Sequence, residues 1–489
     1  MILSSPDLDP RRRRRELERS ALDTTDVLVI GGGITGVGVA LDAASRGLSV
    51  TLVEAEDLAF GTSRFSSKLV HGGLRYLATG DVATARESAR ERHLLMTAIA
   101  PHLIRPLPQL LPFIPTVTWR QRAAGALGMT LGDVLRMQAR TPRSTLPAPH
   151  PVSARTAQSL FPALDPERLR GGMLSYDGQL IDDARLVVTV ARTAASRGAR
   201  ILTRVRAERL RDDGATVIEA LTGERLEIRA RSVINATGVW AGTLDDTIAV
   251  RPSRGTHIVL DAADLGSPRA ALTIPHEGSI SRYVFALPQQ LGRVVVGLTD
   301  EDAPGPIPRV AEATEREIHF LLETLNRSVT IPIRRDQIRG SFAGLRPLID
   351  NGADSTADVS RRHLVDVSDG GFVNVLGGKL TTYRRMAEDA VDLAVRTRAL
   401  PAAPSRSAST RLVEDDVVAR STLSDAGAEI AEGLGVTRAA VEFAVRAEGA
   451  MSVDDVVERR TRIALVDADR LRSHDAIAEI VERTLADIA

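Results

Sequence analysis

The chain has 489 residues, 43% hydrophobic and 26% charged, which is enough for two or three domains with a sizeable core and unlike a collagenous or disordered composition. Lys plus Arg and Asp plus Glu both total 63, so no summed field gathers nucleic acid or repels an acidic membrane, and any anionic ligand must be held by local groups. Cysteine is absent, which removes disulfides, thiolate chemistry and cysteine-ligated metal and is compatible with a reducing, cytoplasmic setting.

No run of about 18 apolar residues occurs, so no spanning helix is expected, and Met1 to Ser5 has no apolar region of signal-peptide length. Residues 1–24 contain the run Arg11 to Arg15 and read as a solvated, disordered basic tail; the alternative is an electrostatic touch on anionic lipid. From Asp26 to Glu54, "DVLVIGGGITGVGVALDAASRGLSVTLVE" spells a strand over Val27 to Ile30 and a helix with Ile34, Val37, Leu41 and Ala44 on one face. A second buried strand follows at Ser49 to Val53. Such a βαβ unit has a right-handed crossover and parallel strands.

Residues 81–99 read as a helix capped by Asp81. The proline-punctuated "PHLIRPLPQLLPFIP" then leads into a surface excursion of amphipathic character that lasts to about residue 150. A helix in "DDARLVVTVARTAASRGA" precedes the strand "RILTRVRA", and "RSVINATGVWA" is a strand running into a glycine turn. Alternation in "THIVLD", "RYVFALP" and "RVVVGLTD" signals antiparallel strands. The run "FVNVL" returns to the buried-strand style, and the helix after it carries Tyr383, Met386, Ala387, Ala390, Val391 and Ala394 on one face. The expected domains are a cofactor domain from 25–110, 171–249 and 351–400, a β-rich substrate domain with excursions from 111–170 and 250–350, a linker at 401–412 and a helical domain at 413–489.

Gly31, Gly33 and Gly36 form a G-x-G-x-x-G fingerprint between a strand and a helix, with Glu54 at the end of the next strand. That context is the confirming one for a dinucleotide site: one glycine for the turn, one for close approach of the pyrophosphate and one for helix packing. The helix N-terminus offers N–H groups to the phosphates, and Glu54 would accept hydrogen bonds from an adenosine ribose. A single fingerprint followed by serine-rich and glycine-rich loops favours a large cofactor embraced by several segments, a flavin rather than a nicotinamide. Of the 63 basic residues 61 are arginine, and the two lysines, Lys68 and Lys379, both sit in loops, "RFSSKLVHGG" and "VLGGKLTT".

The strings "GGGITGVGVALDAASRGLSVTLVE", "TSRFSSKLVHGGLRYL", "IDDARLV", "INATGVWA", "GTHIV", "AGLRPL" and "GGKLTTYR", in this order, resemble the FAD-dependent, quinone-linked glycerol-3-phosphate dehydrogenase family over about residues 25–395, and "RAEGAMSVDDVVERRTR" continues the likeness. The resemblance implies oxidation of sn-glycerol 3-phosphate to dihydroxyacetone phosphate with bound FAD and electrons passed to membrane quinone. It implies an α/β fold with a Rossmann-like FAD domain of the glycine and D-amino-acid oxidase type, a β-rich substrate domain and a small helical C-terminal domain.

At single positions the resemblance matches Arg75, Arg346 and Arg361 to substrate-pocket arginines, with Arg362 adjacent to the last; a guanidinium forks onto two phosphate oxygens. Lys379, on a turn between strand and helix, presents a compact ammonium to a flavin edge or substrate oxygen. The base for the hydroxyl proton is His71 or His257, with base and contact roles not separated. Cofactor contacts are expected from Ser66, Ser67, Lys68, Gly72, Gly73, Val205, Ala236, Gly238, Gly378, Leu380 and Thr381, and no metal site is expected.

The segment "ALPQQ" near Pro288 and His276 depart from the family pattern, and the C-terminal domain is short. The expected setting is the inner face of the cell membrane, touched peripherally through Leu110 to Trp119 or the basic tail, with a homodimer compatible and no nucleic acid partner. The alternatives are a glycerol-3-phosphate oxidase using oxygen, an amine or amino-acid oxidase on the same fold, and a flavin-binding sensor or scaffold.

Overall fold

The structure, a computed structural model, describes residues 4–73, 76, 80–280, 282–349 and 362–489. Val27 and Val29 point to one face of the Thr25–Ile30 strand, and Leu28 and Ile30 to the other; both sets are buried, in separate clusters. A strand buried on both faces belongs in the middle of a covered parallel sheet, and it lies there. Arg225–Asn235 pairs parallel to one side of it and Val50–Glu54 to the other; Val373–Gly377 and Arg200–Thr203 extend the parallel set, and His363–Val367 closes one edge antiparallel.

One face is covered by the helices Ile34–Ser45, Asp183–Ser196 and Tyr383–Arg398, whose alanines and valines, Ala40, Val187, Ala191 and Ala390 among them, share one core. At the fingerprint, Gly31 takes φ +107°, and a Cβ on Gly36 would collide with the Gly31 carbonyl oxygen, so strand and helix approach as closely as the spacing predicts.

The second sheet is built on the 12-residue strand Val250–Asp261, which pairs antiparallel with Arg293–Gly297 and, along most of its length, with Gly340–Ile349. Its core holds Ile258, Leu272, Val284 and Val296 under Ile318, Leu321 and Leu325 of the helix Glu315–Asn326. Ile104–Pro112 and Gly172–Leu180 also join this sheet, so the expected boundary at residue 110 falls inside a strand. The prolines misled: Pro106, Pro108 and Pro112 are all an even number of residues apart, so their missing N–H groups fall on one edge, which a strand tolerates.

The N-terminal segment is a second correction. Pro10–Leu22 is a helix, capped by the Asp9 carboxylate accepting the Arg12 N–H at 2.9 Å, and it packs through Leu17 and the buried Ser20. Arg12 pairs with Glu16 at 2.7 Å and Arg13 with the buried Glu219 at 2.5 Å. A charge run solvates a tail only when no acid awaits it, and here Glu16 one turn along the helix and the distant Glu219 engage it. Residues 401–412 lack long elements, as a linker should, yet Ser407, Thr410 and Leu412 are buried and Leu412 N–H donates to the Ile99 carbonyl.

In the C-terminal domain, Arg438–Arg446 and Asp467–Ile488 enclose a separate core around Val441, Val445, Val457, Ile477 and Ile480. Residues 411–436 are irregular rather than helical.

Candidate active site

A cavity of about 1020 Å³ runs between the two sheets. Gly31, Gly33 and Glu54 wall part of it, with Val205, Ala236 and Gly238 beside them. The Glu54 carboxylate accepts the N–H of Gly32 at 2.6 Å and of Glu56 at 2.8 Å, but desolvation on the cavity wall pushes its pKa up to about 7. At the first turn of the following helix the Ile34 N–H donates to Ser63 Oγ at 2.9 Å, so the loop after Glu54 is latched to the fingerprint.

Another part of the wall is cationic and aromatic. Arg346 stands opposite Ser253 in the long antiparallel pairing and lines the cavity; its guanidinium donates to Asp300 at 3.1 Å, Ser253 Oγ at 3.2 Å and the Thr299 carbonyl at 3.2 Å. Lys379 follows the Val373–Gly377 strand, lines the cavity with Gly378, Leu380 and Thr381, sits 4.1 Å over the Tyr76 ring and donates to Ser88 Oγ. His71 also lines the cavity and stacks on Tyr76 with centroids 6.5 Å apart.

His257 is 1% exposed, stacked on Phe342 at 4.7 Å, with Nε2 2.8 Å from Ser67 Oγ. Burial first, then the neighbouring charges of Lys68 and Arg346, depress its pKa to about 3, so the imidazole is neutral. Its Nδ1 is buried with no hydrogen-bond partner among the described residues.

Not every expected residue presents a free group to the cavity wall. Lys68 does not line the cavity: its backbone turns through φ +56°, and its ammonium is buried 3.4 Å from Asp183, behind Phe342. Ser66 lines the cavity, but its N–H and hydroxyl both donate to Asp183, at 2.9 and 2.8 Å. Gly36, Gly72 and Gly73 are absent from the wall; Gly36 packs on the fingerprint turn, and Gly72 donates its N–H to Asp177 against the Arg92 guanidinium. Arg75 and Arg361 lie outside the described residues. Arg362 is on the surface, paired with Asp81 at 2.7 Å. Sequence reading missed Arg282, Tyr283 and Trp240, all on the wall. The scarcity of aromatics was the one available signal, since the chain has four tyrosines and two tryptophans.

Residues 26–384 match the family described as FAD dependent oxidoreductase, and residues 411–486 match the C-terminal domain of alpha-glycerophosphate oxidase. The chain is 48% identical to glycerol-3-phosphate dehydrogenase 1 of Mycobacterium tuberculosis (strain ATCC 25618 / H37Rv), over 96% of this chain and 98% of that one. It belongs to the FAD-dependent glycerol-3-phosphate dehydrogenase family. The glycerol-3-phosphate dehydrogenase of Bacillus halodurans, solved in complex with FAD, superposes with a TM-score of 0.73 at 25% identity, covering 99% of this chain and 97% of that one. Glycine oxidase from Geobacillus kaustophilus, at TM-score 0.51, 18% identity and coverage of 76% and 95%, shares the fold alone.

The residues of this glycerol-3-phosphate dehydrogenase family member fit FAD. Its cavity stands at the upper end of the roughly 300–1,000 Å³ of ordinary ligand pockets, and a strand–glycine turn–helix with a carboxylate at the next strand end is a donor and acceptor set for a pyrophosphate and a ribose.

Proposed function

We propose that the protein oxidises sn-glycerol 3-phosphate to dihydroxyacetone phosphate and passes the electrons to a membrane quinone. The observation that carries the reading is that one cavity joins a dinucleotide turn to Arg346, Lys379 and a neutral buried histidine. FAD, when bound, supplies the acceptor for the hydride from the carbinol carbon.

The chain supplies the rest. Arg346 and Lys379 hold the phosphate and fix the carbinol in place, a role that a charge-neutral protein can fill only with a local cluster. Ser67, cavity-facing and within hydrogen-bond reach of His257 Nε2, leads the hydroxyl proton to that nitrogen. A bound phosphate dianion offsets the Arg346 charge that holds His257 down, so substrate raises the basicity of the imidazole when the proton must be taken. His71 contacts substrate or cofactor beside Tyr76.

The quinone reading draws support from the helix Trp119–Gln138. Trp119, Leu127, Leu131, Val134 and Met137 recur at helical spacing and are 72%, 61%, 43%, 40% and 53% exposed, and Leu127 and Leu131 also line the cavity. An apolar stripe that continues into the site suits an isoprenoid quinone at a bilayer surface. Among the described residues no helix is long and apolar enough to cross a membrane, which agrees with peripheral contact.

Anaerobic titration with glycerol 3-phosphate should bleach the flavin of the purified protein, while amino acids leave it yellow; the reverse sinks the substrate. Because residues 411–486 match a domain named for an oxidase, aerobic turnover must also be followed for peroxide. Stoichiometric peroxide makes oxygen, not quinone, the acceptor.

A further inference from the structure

The segment from residue 55 to residue 68 has two faces. Phe60 to Ser63 and Phe65 to Ser67 line the cavity, while Asp57, Arg64 and Lys68 turn away from it and are 1%, 3% and 3% exposed. Three buried charges on the back of one loop need partners, and most come from the C-terminal domain. The Asp57 carboxylate accepts Arg459 Nε at 2.7 Å and both terminal nitrogens of Arg460 at 2.9 Å. Arg64 pairs with Glu458 at 2.5 Å, and its carbonyl accepts from Arg462 at 2.6 Å. Arg462 also lies 3.2 Å from Asp182, whose neighbour Asp183 holds Ser66 and Lys68.

The same short stretch grips a second cavity segment. Asp455 takes Arg204 at 2.6 Å, and the Arg204 N–H donates to the Glu56 carbonyl at 2.8 Å, just before the wall residues Val205 and Arg206.

Resting on the FAD reading, we propose that residues 455–462 form a clamp: the C-terminal domain, through Asp57, Arg64 and Arg204, holds the loops that wrap the cofactor in their binding shape, with Arg459 and Arg460 as positioning residues. The C-terminal hydrophobic core is separate from the core under the fingerprint, so the two parts meet here through directional charge contacts, beside one small apolar cluster that joins Leu465 and Val466 to Phe65 and Phe342. Bidentate guanidinium contacts fix orientation as well as proximity, and a buried ion pair contributes geometry more than net stability. Burial would raise the Asp57 carboxyl, but Arg460 and Arg459 hold it below the ordinary carboxylate range, so it keeps its charge at neutral pH.

The test uses the full chain freed of FAD and titrated with FAD by fluorescence, with the apoprotein melting temperature measured alongside. Asp57→Asn should weaken FAD about thirtyfold or more. Asp42→Asn is the control: Asp42 is equally buried and pairs with Arg46, and neither lines the cavity, so that variant should lose comparable apoprotein stability and keep wild-type affinity. Glu458→Gln, a milder change at a partly exposed carboxylate, should weaken FAD about threefold and serves if Asp57→Asn does not fold. Wild-type affinity in the Asp57 variant, or in the Glu458 variant where the first cannot be made, overturns the clamp, as does equal weakening in the Asp42 control. A wild-type apoprotein that takes up no FAD overturns the cofactor reading itself.

Discussion

Arg346 lies across Gly255, where a Cβ would strike its guanidinium, and the string "AGLRPL" is enough to mark it in the sequence. Removing its charge while keeping its length, as in Arg346→Met, should raise KM for glycerol 3-phosphate about a hundredfold with FAD content unchanged, a loss near the upper range for charged hydrogen bonds. His257 and Glu54 are titratable groups whose pH effects have opposite sense. His257 has a folded pKa of about 3 against an ordinary 6.5, so as pH falls the unfolded chain takes the proton first; its contribution, present above 6.5, drains away between 6.5 and 3. Melting curves of the apoprotein from pH 7 to 5 should therefore fall more steeply for wild type than for His257→Gln. Glu54 has a folded pKa of about 7 against 4.5, so the folded state holds the proton longer; its stability is present below 4.5 and is lost as pH rises through 7. Glu54→Gln apoprotein should match wild type at pH 5, exceed it in melting temperature at pH 8 and bind FAD more weakly. Lys68 shows the limit of motif reading. Its rarity and neighbours are visible in the sequence, but the side it faces depends on one positive φ and on Asp183, more than a hundred residues away.

At the scale of elements, the helix Trp119–Gln138 opens on a capping box, Thr118 with Gln121, yet it presents its apolar stripe outward. The amphipathic excursion expected in this region is present, but its exposed apolar stripe lies later in the chain than Leu110 to Trp119: Leu110, Leu111, Ile114 and Val117 are buried, and of that stretch Trp119 alone is a large exposed apolar side chain. Apolar spacing tells which residues share a face but not whether the face meets protein or solvent. Val134→Glu with Met137→Glu, two exposed stripe positions off the cavity wall, should lower partition onto anionic, quinone-bearing vesicles about tenfold or more, because two apolar side chains lose burial. Quinone reduction should fall with it, and reduction of a water-soluble dye should persist. Equal partition of the double variant removes this helix as the contact. The basic helix Pro10–Leu22 is a weaker candidate, since Arg12 and Arg13 are engaged with Glu16 and Glu219.

At the scale of the whole molecule, the C-terminal domain reaches back to the cofactor loops through Arg459, Arg460 and Arg462, so a segment that reads as an appended helical unit supports the wall from behind. The βαβ unit, its fingerprint glycines, the acidic end of the second strand and the returning strand at residues 372–376 are all legible in the sequence, because each rests on local spacing: two residues per strand repeat, 3.6 per helical turn, and a backbone turn that only glycine adopts. Sequence spacing therefore determined the architecture of the FAD domain and the class of its ligand. Tertiary structure decided which even-spaced prolines sit in a sheet, which of two rare lysines faces the cavity and which acids order an arginine run. Those outcomes depend on partners brought together from far along the chain in a low-dielectric interior, where an unpaired charge is too costly to leave and its partner's position is set by the fold, not by the local text.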